Sequence, residues 1–149
     1  MPDDRSGGVV VTVNTEDLPG APADLIARGV RAALAQGSAS TAEVSVTLLD
    51  DDRIREMNAS YLERDRPTDV IAFSLGGPGG VFGDVYIGHE QAERQASEHE
   101  EAFETELLRL AIHGTLHVLG HDHPDGPERW DSPMFDLQER LVGEVLAAD

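Results

Sequence analysis

Four of the chain's six histidines fall within eleven residues, in the segment Ala111-Ile112-His113-Gly114-Thr115-Leu116-His117-Val118-Leu119-Gly120-His121-Asp122-His123. His113 and His117 are four apart, a spacing that puts both imidazoles on one helix face, one turn apart. Gly120 follows where such a helix would stop, since glycine tolerates the left-handed backbone of a helix end. The chain can then turn and bring His123 back to the same point. Three neutral imidazoles around one open position make a catalytic zinc arrangement, and a metal held that way activates water near neutral pH. A lone histidine is an ordinary surface or core residue, and one pair four apart arises readily by chance. Four of six in so short a stretch, with a glycine at the turn, point to a metal. His121 reads as a surface residue ahead of a competing ligand. Asp122 either orients a ligand imidazole from behind or caps the turn.

The same spacing overlaps the zinc-peptidase pattern H-E-x-x-H-x-x-G-x-x-H at His113, His117, Gly120 and His123. The second position is Gly114 rather than glutamate, which removes the general base that a metallopeptidase uses. The metal scaffold fits, and peptidase chemistry by that route does not.

Several elements must position this segment. Val9 to Asn14 is a β-branched run and reads as a first strand. Pro22 to Gln36 carries Leu25, Ile26, Val30, Ala33 and Leu34 at helical spacing, with Gly37 to end it. Glu43 to Leu49 alternates Val44, Val46 and Leu48 as a second strand. Asp50 to Leu62 reads as a short helix whose acidic start suits the helix dipole. Val70 to Leu75 and Phe82 to Ile87 read as strands, separated by the glycine-rich turn Gly76 to Gly80. Roughly Glu90 to Leu119 is helical, in one piece or two. Pro124 to Pro133 is a loop, and Met134 to Ala148 a last helix. Strands and helices mixed in this way predict one α/β or α+β domain with about four strands.

Composition bounds the function. The 149 residues fit a single domain over 1–149, with the polar residues 1–8 expected to be disordered. The apolar fraction is 40% and the mean hydropathy −0.30. No run approaches the roughly 18–20 apolar residues that span a bilayer, and the first residues lack the apolar core of a signal peptide, so a cytoplasmic protein without a membrane role is expected. With no cysteine, any metal site must use His, Asp or Glu. Acidic residues number 29 against 11 basic ones, a net charge of −18, and every basic residue is an arginine. Taken alone, that charge repels polyanions. It also fits adaptation to high salt, where repulsion is screened within a few ångströms.

The segment His113 to His123 resembles the H-G-x-L-H-x-x-G-Y-D-H signature of the YbeY family, bacterial metal-dependent endoribonucleases also called rRNA maturation factors. Asn58-Ala-Ser-Tyr61-Leu-Glu-Arg-Asp65-Arg66-Pro67-Thr68-Asp69-Val70-Ile-Ala-Phe73-Ser74 resembles the family's N-x-x-Y…D-x-P-T-D-V-L-S-F stretch, and Gly83-Asp84-Val85-Tyr86-Ile87 its G-D-I-x-I strand. The resemblance runs in order from about Val9 to the last helix. It implies an α+β domain with a mixed sheet, helices packed on it, and the metal in a cleft at the end of a central helix. His113, His117 and His123 match the zinc ligands, for one Zn2+ per chain. The implied activity is hydrolysis of single-stranded RNA, in small-subunit ribosomal RNA 3′-end maturation and ribosome quality control. The implied partners are ribosomal RNA, the small ribosomal subunit and its proteins.

The chain departs from the family pattern at three places. His121 replaces a Tyr, Ala72 stands where Ser is common, and Leu62 stands where many members carry an Arg thought to face the substrate. A guanidinium is the natural partner of a scissile phosphate, so another arginine must serve. Arg66, in the adjacent loop, is the first candidate for that catalytic role. Arg109, one turn before His113 on the same face, is the second, with Arg64 behind them. Pro67 reads as a loop stop; Thr68 and Asp69 read equally as cleft border or scaffold. Trp130 reads as hydrophobic cover ahead of a base-stacking surface, and Met134 as core. Two rivals remain: a zinc metallopeptidase-like hydrolase, which Gly114 disfavours, and a non-catalytic ribosome-associated protein whose zinc is structural, with His121 or Asp122 as fourth ligand.

Overall fold

The structure, a computed structural model, describes residues 8–76, 79–124 and 126–148. Apart from Gly8, the expected disorder over 1–8 concerns residues outside that range. Four strands form one sheet: β1 (Val9–Asn14), β2 (Ala42–Leu49), β3 (Val70–Ser74) and β4 (Val81–Gly88), in the order β1-β2-β4-β3. β1 runs parallel to β2 and β2 to β4, while β3 pairs antiparallel with β4 at the edge. The sheet is therefore mixed. Among the described residues five α-helices accompany it: α1 (Ala23–Leu34), α2 (Asp51–Leu62), α3 (His89–Glu98), α4 (Phe103–Val118) and α5 (Pro133–Ala147). The helical stretch expected near 90–119, in one piece or two, is two helices, divided after Glu98 where Glu100 takes a positive φ of 54°. The loop expected over 124–133 contains a 3₁₀ turn, Gly126–Asp131.

Side-chain alternation decides which sheet face is covered. Ala42, Val44, Val46 and Leu48 of β2 point to one side and are buried, and the register sets Val46 between Val13 and Val85. That face receives Ile26, Val30 and Leu34 of α1 and Leu107, Leu110, Ala111 and Val118 of α4. The opposite side of α4 presents Leu108, Ile112 and Leu116 to Met134, Leu141, Val142 and Val145 of α5. A helix that is apolar nearly all round belongs in the interior, and α4 is the central element. A smaller cluster of Leu49, Ile54 and Ile71 lies under α2. That helix is capped by Asp50, whose side chain accepts from the Arg53 backbone N–H at 2.9 Å.

Two glycines set the geometry of α4. At Gly114 the helix crosses β4 so closely that a Cβ would sit 2.5 Å from Cγ1 of Val85 and 3.3 Å from Cγ2 of Val70. At the C-terminal end Gly120 has φ +100°. Its N–H bonds to the His117 carbonyl at 2.9 Å, and the His121 N–H bonds to the Leu116 carbonyl at 3.0 Å. These paired bonds form a Schellman motif, which ends the helix and reverses the chain.

Replacing Gly114 by Ala forces α4 off the sheet and should cost about 1–3 kcal/mol through overpacking. Gly143 is the matched control, since a Cβ there meets nothing within 4 Å. Gly143→Ala should stabilise by about 0.5–1 kcal/mol from backbone entropy alone. Denaturant midpoints of the two variants should move in opposite directions; movement in the same direction would contradict the packing.

Candidate metal centre

His113 and His117 project from the last two turns of α4, and the reversal at Gly120 returns His123 to them. Their ring centroids lie 4.6, 5.2 and 5.1 Å apart, and each offers a nitrogen within 4.8 Å of the others. No fourth His, Asp or Glu joins this group among the described residues. His121 lies outside it, and Asp122 instead accepts the His123 backbone N–H at 2.9 Å, closing the turn.

The backs of the three rings are all held by carbonyl oxygens. Nδ1 of His113 is 2.7 Å from Oε1 of Gln138, Nδ1 of His117 is 3.0 Å from the His121 carbonyl, and Nδ1 of His123 is 3.0 Å from the Pro124 carbonyl. Those oxygens only accept, so each Nδ1 carries the proton and each Nε2 presents its lone pair. Nε2 of His113 and Nε2 of His117 then face each other at 3.1 Å with no hydrogen between them. Two acceptors at that distance repel unless a cation lies between them. The donor set therefore fits a divalent metal, with the ring tautomers fixed from behind as metal-binding histidines require.

Electrostatics agree. Burial lowers the His113 pKa from 6.5 to about 4, with the neighbouring His117 adding to the effect and the Gln138 contact opposing it. Burial, then His123, also lowers that of His117. Both rings are neutral at physiological pH, the form that binds metal.

A cavity of about 580 Å3 opens beside these ligands, with His113, His123, Asp69, Arg109, Trp130 and Gln138 among its walls. Arg109 thus lies where its helical spacing placed it. Its guanidinium is held by Glu101, by Glu106 at 2.8 Å and by Glu139 at 2.8 and 3.0 Å. Burial works against its charge, but Glu139 and Glu101 outweigh that and hold its pKa above the ordinary value. Glu106, only 3% exposed, is pushed up by burial and by the adjacent Glu101. The network continues to the metal centre. Glu139 accepts from Nε2 of Gln138 at 3.0 Å, so the amide must turn Oε1 toward His113.

Arg66 lies in the α2–β3 loop with an exposed side chain, outside the cavity wall. Its carbonyl accepts from Nδ2 of the buried Asn58 at 2.9 Å, which fixes the loop leading to Asp69. Arg64 is likewise exposed on that loop. Met134 is buried against α4, as its reading as core expected. Trp130 covers no buried cluster and stands 52% exposed.

Gln138 was not singled out in the sequence, although the signal was present. It is the polar member of the α5 stripe Met134, Gln138, Leu141, Val145, and it is 4% exposed. A lone amide at a core position needs partners, and here they are a ligand histidine and Glu139.

Two outcomes follow from these contacts. Gln138→Leu leaves the His113 Nδ1–H without an acceptor and should weaken metal retention about 10–100-fold while helix content stays unchanged. Competition with a chelator measures this, and unchanged retention would remove Gln138 from the centre. In metal-free protein, His113 stays neutral in the fold while the unfolded chain protonates below its ordinary pKa. Stability should thus be flat above about pH 6.5 and fall by up to about 3 kcal/mol as the pH drops toward 4, as denaturation of chelator-treated protein would show.

The Endoribonuclease YbeY family profile matches residues 14–145. The Endoribonuclease YbeY of Aquifex aeolicus (strain VF5) is 42% identical over 128 residues, covering 84% of this chain and 85% of that protein. That of Desulfitobacterium hafniense (strain Y51) is 39% identical over 139 residues, covering 85% and 87%. The solution structure of TM1509 from Thermotoga maritima matches with a TM-score of 0.63 at 30% identity, over 94% of this chain and 90% of that one. With the histidine cluster at the end of α4 and the mixed sheet beneath it, the chain belongs to the YbeY endoribonuclease family.

Proposed function

We propose that this protein is a zinc-dependent endoribonuclease acting on single-stranded RNA in the cytoplasm. Its place is 3′-end maturation of small-subunit ribosomal RNA and ribosome quality control, with the small subunit and its proteins as partners. The observation that carries the chemistry is the pair of imidazole Nε2 atoms facing at 3.1 Å with their Nδ1 protons committed elsewhere. His113, His117 and His123 would hold the ion. An all-imidazole set suits zinc, which supplies a Lewis acid for a phosphoryl oxygen and an activated water.

The chain's own groups supply the rest. The absence of a fourth protein ligand among the described residues leaves one side of the centre facing the cavity, which favours a catalytic over a structural ion. Asp69 lines that cavity, and its carboxylate there would accept a proton leaving the attacking group. Arg66 is the guanidinium for the scissile phosphate; its exposed side chain has no carboxylate partner among the described residues. Arg109, by contrast, has its donors taken by three glutamates and is a positioning residue. Through Glu139 and Gln138 it orients His113. Gly114 disfavours the peptidase alternative on steric grounds too, because a glutamate there would collide with Val85. Among the described residues no helix is long and apolar enough to cross a membrane.

Cleavage of a labelled single-stranded RNA by wild type, His117→Ala and Arg66→Ala, with and without chelator, tests this across a salt series. Chelation and His117→Ala should abolish cleavage, and Arg66→Ala should slow it about 100-fold. Rising salt should preserve activity by screening the −18 charge. Equal cleavage by wild type and His117→Ala would overturn the assignment.

A further inference from the structure

The cavity beside the metal centre is charged against a phosphate. Asp69, Glu98, Glu101, Glu106 and Glu139 line it against two arginines; the guanidinium of Arg109 is already held by carboxylates, and that of Arg129 lies over Trp130. A neutral heteroaromatic ring meets no such penalty, and one wall is built for it. Trp130 lines the same cavity as His113 and His123 and is 52% exposed. The guanidinium carbon of Arg129 lies 4.6 Å from its ring centroid. Phe135 meets it edge-on, with centroids 5.3 Å apart and planes at 85°.

The fold gives this indole no core to cover, because no residue of the Gly126–Asp131 turn is buried. Its backbone is nonetheless fixed. The buried Ser132 hydroxyl donates to the Arg129 carbonyl at 2.7 Å and accepts from the Phe135 N–H at 3.2 Å, tying the turn to the start of α5. A large aromatic ring flanked by Arg129 and Phe135, exposed, and lining one cavity with His113 and His123 has the properties of a stacking surface.

We propose that Trp130, braced by Arg129 and Phe135, is the platform on which one unpaired nucleobase of the RNA stacks beside the scissile bond. This rests on the ribonuclease reading and deepens it. A base in a duplex is already stacked and paired, so a site that takes up a single base selects single strands. The carboxylates that line the cavity repel phosphates, so the base rather than the backbone lies against Trp130, and the scissile phosphate stays beside His113 and His123.

Trp130 is the chain's one tryptophan, so intrinsic fluorescence reports the site directly. Stopped-flow mixing of the intact protein with oligoribonucleotides, in salt that screens the net charge, reads quenching before cleavage. A series carrying one abasic residue at successive positions locates the stacked base. RNA should quench Trp130, one abasic position should remove the quenching, and that position should raise KM roughly 5- to 100-fold with a smaller change in kcat. Trp130→Ala should raise KM by the same factor while metal retention stays normal, and Trp130→Tyr should recover most of the loss. The proposal falls if no oligonucleotide quenches, if every abasic position behaves alike, or if Trp130→Ala leaves KM unchanged. Position-specific quenching without cleavage would sink the ribonuclease reading and keep the subsite. Metal-dependent cleavage indifferent to base and indole would do the reverse.

Discussion

The candidate metal centre depends on three protons being in the right place. Each imidazole has two nitrogens of similar basicity, and a metal can use the inner one only if the outer one keeps its hydrogen. The fold settles that choice three times with oxygens that cannot donate. Two are main-chain carbonyls, of His121 and Pro124, and one is the amide oxygen of Gln138. The carbonyls have a fixed polarity. The amide does not, and its orientation is imposed by Glu139, which accepts only. Glu139 is in turn held by Arg109, and Arg109 by Glu101 and Glu106. A charged cluster beside α4 thereby fixes the tautomer of a neutral ring at its end.

Much of this was legible in the residues themselves. Strands β2 and β4 carry the alternation of a sheet with one covered face, β1 is marked by its β-branched run, and α1 has the spacing of a helix with one apolar face. The histidine segment declared both its helix and its turn, since Gly120 takes the positive φ expected of it. What could not be read is whatever depends on distant segments meeting. The order β1-β2-β4-β3 depends on which strands pair across long stretches of chain. Arg109 was found by its spacing from His113, but its employment depends on Glu101, between α3 and α4, and Glu139, on α5. Gln138 escaped notice because glutamine is not a residue type that announces metal chemistry. Trp130 read as cover because most lone tryptophans are buried, and only the unburied 3₁₀ turn around it shows otherwise.

Charge is distributed to match. A chain with 29 acidic residues that handles a polyanion must keep carboxylates from the path of the phosphates or use them for something else. Around Arg109 three glutamates are occupied in bracing. On the α2–β3 loop Arg64 and Arg66 remain at the surface, while Asp65 between them pairs with Arg55 of α2.

Position 121 illustrates how an active site can be indifferent to a side chain while depending on the residue that carries it. The N–H of His121 closes the helix end on Leu116 and its carbonyl steadies His117. Both contributions are peptide groups, which every amino acid except proline brings in full. A family signature with tyrosine there and a chain with histidine can therefore build the same centre. What the centre takes from position 121 is thus the peptide N–H and carbonyl, which a proline there would supply only in part.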